Sequence, residues 1–332
     1  MATIKDVAKH ADVSIATVSR IINNRGAISE KTRRKVRASM EALNYQPNEM
    51  ARALQKQKSN IIGLIVPLIQ YEFFSTLIEA VEETCHQRGY KLMLCRAGAN
   101  GGREKEMVSL LEGNKVDGIL LCSRVGDAGI YAERSTMPIV SIDRDLEGFS
   151  SVTSDNYQGG VLAAEALHRA GCVRPVLVGN RTPDYMPMNR RNIGFFDTCR
   201  ALGMEPGHIS VSAPVDDPGA VAAHFLRDLA LCPAADGFFI ASDALAANIV
   251  SDPRVRENGI MDRVPLISYD GLEASRWLSI SSVAQPIREM GAAAALQLIR
   301  EIEEQAPHAQ IILPVSCIER ASTRNFMKGE QL

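Results

Sequence analysis

The alternation of two kinds of segment after residue 60 constrains this 332-residue chain more than any other feature. Short β-branched or aliphatic runs are separated, for the most part, by longer amphipathic stretches such as 75–88, 158–170 and 287–304. The predicted strands are 61–66, 91–95, 118–122, 139–142, 176–179, 237–241, 266–269 and 311–313. This alternation is typical of parallel sheets with helices on both faces.

The remaining length sets the number of such sheets. The 272 residues after residue 60 are roughly twice what one such unit needs. We therefore predict two doubly wound α/β lobes side by side. Ligands of such folds bind at the carboxyl ends of the strands, so the cleft between the lobes is the expected ligand site.

The first 46 residues carry a different pattern, with three short helices and no strand. Thr3 caps a helix to about residue 11, Ser14 caps a second to about residue 22, and Ser29 caps a third through residue 44. This spacing predicts a helix-turn-helix. Residues 47–59 have helix-forming composition but few apolar residues, so they are predicted to be a hinge that is marginal in isolation.

Charge separates the same two regions. Residues 1–60 carry twelve Lys and Arg against five Asp and Glu, whereas the rest carries 25 against 34. A basic head on an acidic body favours binding of a polyanion by the head, although a solvated basic helix would have the same composition.

Composition and motifs argue against several classes of protein. The most apolar stretch, 61–69, is interrupted by Gly63 and Pro67 and is too short to span a bilayer, so we expect a cytoplasmic protein. The seven cysteines are spread singly and are predicted to be reduced, without a metal site. No nucleotide-binding glycine loop, nucleophile elbow or zinc-protease motif is present, so we expect neither an enzyme nor a cofactor.

The amino-terminal segment resembles the LacI/GalR family of bacterial transcription regulators. The resemblance lies in Val13-Ser-x-x-Thr-Val-Ser-Arg20 followed by Asn23, and it continues through Leu43-Asn-Tyr-Gln-Pro-Asn-x-x-Ala-Arg-x-Leu54 into Ile62-Gly-Leu-Ile-Val66. It implies a helix-turn-helix DNA-binding domain (1–46), a hinge helix (47–59) and a periplasmic-binding-protein-like core of two doubly wound parallel-sheet lobes (60–332), which binds an effector and dimerises.

The family places its DNA contacts on the second helix and the hinge. The amino end of that helix can enter the major groove, where backbone N–H groups favour phosphate. Ile15 and Ala16 offer only apolar contacts to bases, although Ile15 could instead belong to the core. Leu54 resembles the family's hinge leucine, a minor-groove wedge. The predicted DNA-binding residues are Ser14, Ile15, Ala16, Thr17, Ser19, Arg20, Asn23 and Leu54.

A second set of residues is implied for the cleft. Arg191 and Gly194 match the family's R-x-x-G-[FW] segment, and Asp270 matches an acidic residue opposite that arginine. A guanidinium fork and a carboxylate suit hydroxyls or another polar group. The predicted effector-binding residues are Phe73, Phe74, Arg191, Ser242, Asp270 and Gln285, with simple core packing an alternative for Phe73 and Phe74, and a structural role an alternative for Gln285.

These observations predict a homodimeric, sequence-specific regulator of transcription. It would bind double-stranded operator DNA as a repressor, and a sugar or sugar phosphate in the cleft would switch its affinity. Alternatives are a repressor that needs a purine-type co-repressor, an exported sugar-binding protein, which would have no use for residues 1–58, and an enzyme.

Overall fold

The protein, described from a computed structural model, divides into two compact units, Met1–Asn60 and Ile61–Leu332. The structure describes residues 2–22, 25–45, 58–98, 102–122, 131, 137–179, 186–213 and 216–326. Asn23, Leu54 and residues 47–57 of the predicted hinge lie outside these ranges.

The first unit contains the three predicted helices: α1 (Ile4–His10), α2 (Ile15–Ile22) and α3 (Glu30–Ala42). A capping box begins α1, since Asp6 accepts the Thr3 N–H at 2.8 Å and Thr3 Oγ1 accepts the Asp6 N–H at 3.4 Å. Asp12, with φ of 48°, turns the chain between α1 and α2. The three helices enclose a small apolar core formed by Val7, Ala8, Ala11, Val18, Ile21 and Val36.

The described part of the second unit contains two six-stranded sheets. Lobe 1 is built on β1 (Ile61–Val66), β2 (Lys91–Arg96), β3 (Gly118–Leu121), β4 (Ile139–Ile142), β5 (Ser150–Ser154) and β11 (Gln310–Leu313). Its strand order is β11-β5-β4-β3-β1-β2, and every pair is parallel. The helices α4 (Glu72–Gln87), α5 (Glu104–Gly113) and α12 (Ile287–Glu304) pack on this sheet.

Lobe 2 repeats the architecture with β6 (Pro175–Gly179), β7 (Gly207–Ser210), β8 (Gly237–Ile240), β9 (Leu266–Asp270), β10 (Ser281–Ala284) and β12 (Ser316–Ile318). The order is β12-β10-β9-β8-β6-β7, with only β12 antiparallel to its neighbour. Its helices are α6 (Asn156–Arg169), α7 (Pro187–Ala201), α8 (Pro218–Leu229), α9 (Asp243–Ser251), α10 (Pro253–Asn258), α11 (Glu273–Trp277) and α13 (Ala321–Arg324).

Within the described residues the chain passes between the lobes three times, and these passages position the candidate site. It crosses after β5 at Asp155, after β10 at Gln285-Pro286, and between β11 and β12 at Pro314-Val315. The predicted fold class, a helical head with two largely parallel α/β lobes, is confirmed. None of the described helices is long and apolar enough to cross a membrane.

Four strands were not predicted: β5, β7, β10 and β12. Their sequences are short and rich in serine, a composition typical of turns. In the folded chain the buried serine hydroxyls have partners far along the sequence: Ser150 bonds Glu301, and Ser281 lies 2.6 Å from Thr323 Oγ1. Because those partners belong to other elements, local pattern alone does not reveal the strands.

Candidate functional site

The amino-terminal half of α2 presents an exposed face. Ser14, Ile15 and Ala16 are all exposed, and Ile15 retains 45% of its accessible surface. Val18 and Ile21, on the opposite side, are buried in the core of the first unit. The alternative assignment of Ile15 to the core is therefore wrong, and an apolar side chain is left facing solvent on a helix suited to the major groove.

The polar residues of α2 surround that apolar side chain. Ser14 Oγ accepts the Thr17 N–H at 3.1 Å and lies 2.9 Å from Thr17 Oγ1, so the two hydroxyls also fix the start of the helix. Ser19 is half-buried and Arg20 is exposed one turn further along. The amino end of the helix, where the dipole favours phosphate, thus carries the Ser14 and Thr17 hydroxyls and exposed Ile15, whereas the cation Arg20 lies in the last turn.

In the second unit, Arg191 is buried, with 4% of its surface exposed. Its Nε and Nη2 donate to Asn156 Oδ1 at 3.2 and 2.9 Å, and its Nη1 donates to the Ala241 carbonyl at 2.6 Å. The guanidinium carbon lies 3.2 Å from the centroid of the Tyr269 ring. The cation is therefore held in one orientation by hydrogen bonds and by stacking on an aromatic face.

Glycines bring the helix that carries Arg191 close to α6. A Cβ at Gly160 would lie 2.0 Å from the Arg191 carbonyl oxygen, and one at Gly194 would lie 2.1 Å from the Tyr157 carbonyl oxygen. The backbones of α6 and α7 therefore approach at a distance that only glycine permits. This contact explains the spacing of Arg191 and Gly194 and places the arginine beside Asn156, the first residue of α6.

A directed chain of hydrogen bonds runs from Arg191 to Asp270. Asn156 Nδ2 donates to Ser154 Oγ at 3.3 Å, Ser154 Oγ donates to Gln285 Oε1 at 2.6 Å, and Gln285 Nε2 donates to Asp270 Oδ1 at 2.8 Å. Ser154 and Gln285 flank two of the passages between the lobes. Arg191 and Asp270, both predicted to contact an effector, are thus linked through residues that flank the passages between the lobes.

Asp270, the last residue of β9, has unusual backbone and electrostatic surroundings. Its φ of 116° lies where non-glycine residues are strained. The pKa of its carboxyl is raised to about 7, mainly because the group is removed from water; Arg191 opposes this rise and Asp243 adds to it. The Asp270 carboxyl therefore changes charge near neutral pH.

The other predicted effector residues are less clearly placed for ligand contact. Phe73 and Phe74 are buried in the lobe 1 core as an edge-to-face pair with centroids 5.2 Å apart. Ser242 Oγ caps α9 by accepting the Leu245 N–H at 3.2 Å. The structure brings Arg191, Gln285 and Asp270 into one network and gives Phe73, Phe74 and Ser242 packing or capping contacts.

Three members of the network were not predicted from the sequence: Asn156, Ser154 and Tyr269. Asn156 follows a strand and opens a helix, a position that could have identified it. Tyr269 adjoins Asp270 and could have been proposed by proximity. Ser154 gives no such signal, because its strand was itself missed.

Comparisons with known proteins agree with this architecture. Residues 3–48 match the model of bacterial regulatory proteins of the lacI family, and residues 164–323 match that of a periplasmic binding protein-like domain. The ribose operon repressor of Bacillus subtilis is 35% identical over 98% of this chain and 99% of its own length. The sucrose operon repressor of Streptococcus mutans is 32% identical over 97% of this chain and 99% of its own.

A solved structure also resembles the whole chain. The lac repressor dimer bound to operator and the anti-inducer ONPF superimposes with a TM-score of 0.84 and 24% identity, covering 97% of this chain and 99% of that one. At this level of identity the likeness concerns the fold.

Proposed function

The chain belongs to the lacI family of bacterial regulatory proteins, and from this premise we propose that it is an operator-binding repressor controlled by a small polar molecule. The exposed face of α2 reads the operator, and the cleft of the second unit binds the effector. The observation that carries the proposal is the directed network from Arg191 to Asp270. It joins two polar groups suited to ligand binding through residues that flank the passages between the lobes.

The effector we propose is a sugar or sugar phosphate. Three of the five N–H groups of Arg191 bond other described residues, so two remain for a ligand. Asp270 Oδ1 accepts one hydrogen bond from Gln285, and the carboxylate has further lone pairs. Donors and acceptors of this kind suit a pair of sugar hydroxyls. The names of the ribose and sucrose operon repressors support the same class.

We further propose that the protein acts as a homodimer in the cytoplasm, with two α2 helices in two half-sites of a near-palindromic operator. An effector that favours one arrangement of the lobes would change the cost of ordering residues 47–59 on DNA. A coupling free energy of about 1–3 kcal/mol would change operator affinity roughly ten- to a hundred-fold. Whether the ligand releases or recruits DNA depends on which arrangement it stabilises.

A ligand screen with two arginine variants tests the proposal. Wild-type protein, Arg191→Ala and Arg200→Ala would be tested calorimetrically against pentoses, disaccharides, their phosphates and purine bases. Arg200 lies on the same helix but is exposed and bonded to Asp197, so it serves as the control. We expect binding of one carbohydrate class, lost in Arg191→Ala and kept in Arg200→Ala. Binding of purines alone would favour the co-repressor alternative, and carbohydrate binding that survives Arg191→Ala would contradict the assigned site.

A further inference from the structure

Asp243, at the start of α9, is a buried carboxylate outside the network described above. Only 1% of its surface is exposed. Oδ1 accepts hydrogen bonds from Ser268 Oγ and, at 2.8 Å, from Ser282 Oγ, while Oδ2 accepts the Leu272 N–H at 2.6 Å. The three donors belong to β9, β10 and the loop between β9 and α11. One side chain thus joins two strands to the loop that follows Asp270.

These contacts hold a loop whose backbone conformation is unusual. Asp270 and Gly271 both have positive φ, 116° and 80°. A Cβ at Gly271 would lie 2.5 Å from Ala284 Cβ, so this position needs glycine. Ser282 Oγ, bonded to Asp243, accepts the Gly271 N–H at 3.1 Å. An unfavourable conformation persists when its surroundings determine it, and here they are organised by Asp243.

The same loop contacts lobe 1. The Leu272 side chain is buried in the lobe 1 core cluster that contains Phe73 and Phe74. The next residue, Glu273, donates its backbone N–H to Glu72 Oε1 at 2.9 Å. Two carboxylates, one from each lobe, therefore accept the N–H groups of Leu272, which precedes α11, and of Glu273, its first residue.

We propose that Asp243 is the positioning residue of the effector site. By holding Gly271 and Leu272 it sets the direction of the Asp270 carboxylate and keeps the loop seated on lobe 1. It couples ligand contact at Asp270 to the contact between the lobes without touching the ligand. This rests on the proposed function only in taking Asp270 as a ligand-binding group; the bracing of the loop is independent of it.

The chemistry of the site calls for a carboxylate rather than an amide. An ionised Asp is an acceptor at both oxygens and satisfies all three donors. Asn at the same position keeps one acceptor and points an N–H₂ group at a donor. Asp243→Asn therefore has nearly the same shape, but it either loses the bond to Leu272 or turns its N–H₂ group toward the two serines, whose hydroxyls must then accept instead of donating.

Glu301 provides a matched control. It is also buried and accepts hydrogen bonds from Ser150 Oγ and, at 3.0 Å, from Gln297 Nε2. It lies on α12, and its partner Ser150 begins β5, at the end of that strand opposite the cleft. Glu301→Gln repeats the change from carboxylate to amide and lowers overall stability without acting on the loop.

Two local readouts decide the proposal. The first is hydrogen exchange at the Leu272 amide. The second is acrylamide quenching of Trp277, which is the last residue of α11 and the single tryptophan of the chain. We expect Asp243→Asn to speed hydrogen exchange of the Leu272 amide at least tenfold and to change the acrylamide quenching of Trp277 fluorescence. We expect Glu301→Gln to have neither effect. Unchanged exchange in Asp243→Asn, or equal acceleration in Glu301→Gln, would overturn the proposal.

Ligand titration adds a functional readout and separates the two hypotheses. With D-ribose and sucrose as probes, Asp243→Asn should weaken binding about tenfold and leave the affinity for operator DNA within about twofold. Unaltered sugar affinity in Asp243→Asn overturns the coupling. If wild-type protein binds neither sugar, the proposed effector class fails, while exchange and quenching still decide the role of Asp243.

Discussion

At the scale of single residues, Asp270 combines a proposed role in ligand binding with a carboxyl that titrates near neutrality. Its pKa is raised to about 7, whereas an unfolded Asp titrates near 4. Between these values the folded protein binds a proton that the unfolded chain releases. The free energy of unfolding therefore falls as pH rises from about 4 to 7, and below 4 the contribution is constant.

Asp270→Asn removes this titration. Chemical denaturation at a series of pH values should show a flatter profile between about pH 4 and 7 for the variant than for the wild type. Some slope will remain, because burial also raises the pKa of Asp243. A variant profile parallel to that of the wild type over this range would contradict the assignment to Asp270.

Ile15 is predicted from the sequence to contact DNA, and its apolar side chain is exposed in the structure. Ile15→Ala should leave the stability of the first unit within about 0.5 kcal/mol, since the side chain is exposed. It should change base preference at one operator position by about 1–3 kcal/mol. Val18→Ala, in the buried core, is the control that should lower the melting temperature. A stability loss in Ile15→Ala equal to that in Val18→Ala would assign Ile15 to packing.

Some residues of the candidate site were predicted from the sequence and others were not. Arg191 and Asp270 were predicted because they match a family motif. The glycine of that motif, Gly194, allows the close approach of α6 and α7 that places Arg191. Asn156, Ser154 and Asp243 were not predicted, because each acts through partners distant in sequence. Burial of such polar groups is a property of the assembled fold, which one-dimensional patterns do not encode.

At the scale of elements, helices and apolar strands followed from local pattern, whereas the serine-rich strands did not. β3 and β8 are continuous apolar runs, which typify buried parallel strands. β5 and β10 place serines in the same environment and bond them to side chains of other elements. Their formation depends on tertiary contacts that outweigh local propensity.

The contact of α6 with α7 yields a prediction at this scale. Gly160→Ala should destabilise the second unit by about 1–3 kcal/mol, because its Cβ would overlap the Arg191 carbonyl and force the helices apart. Ligand affinity should fall as Arg191 moves from Asn156. Gly113→Ala, with no atom near its added Cβ, should be neutral. Thermal unfolding with calorimetry distinguishes them; full stability in Gly160→Ala would mean that the helices are not held by this contact.

At the scale of the whole molecule, one exposed feature suits a second copy of the chain. Trp277, 74% exposed, adjoins half-buried Leu278 at the end of α11, and α9 beside it presents small uncharged residues such as Ala244 and Ala247. Exposed aromatic residues in such surroundings are typical of interface centres.

Trp277→Glu should therefore shift sedimentation at micromolar concentration from dimer toward monomer and weaken operator binding, because two half-sites would no longer be held together. Leu231→Glu, at an equally exposed apolar residue after α8, serves as the control and should remain dimeric. A dimeric Trp277→Glu would place the interface on another surface.

The most direct test of the central claim is selection of bound sequences by the full-length protein from a pool of random duplex DNA at two salt concentrations. A repressor of this family, with two α2 helices held by a dimer, enriches a near-palindrome whose half-sites lie about one helical turn apart, and the enrichment survives at the higher salt. Weak binding that disappears with salt and enriches no sequence would contradict the claim, because it would reduce the basic first unit to a non-specific polyanion surface.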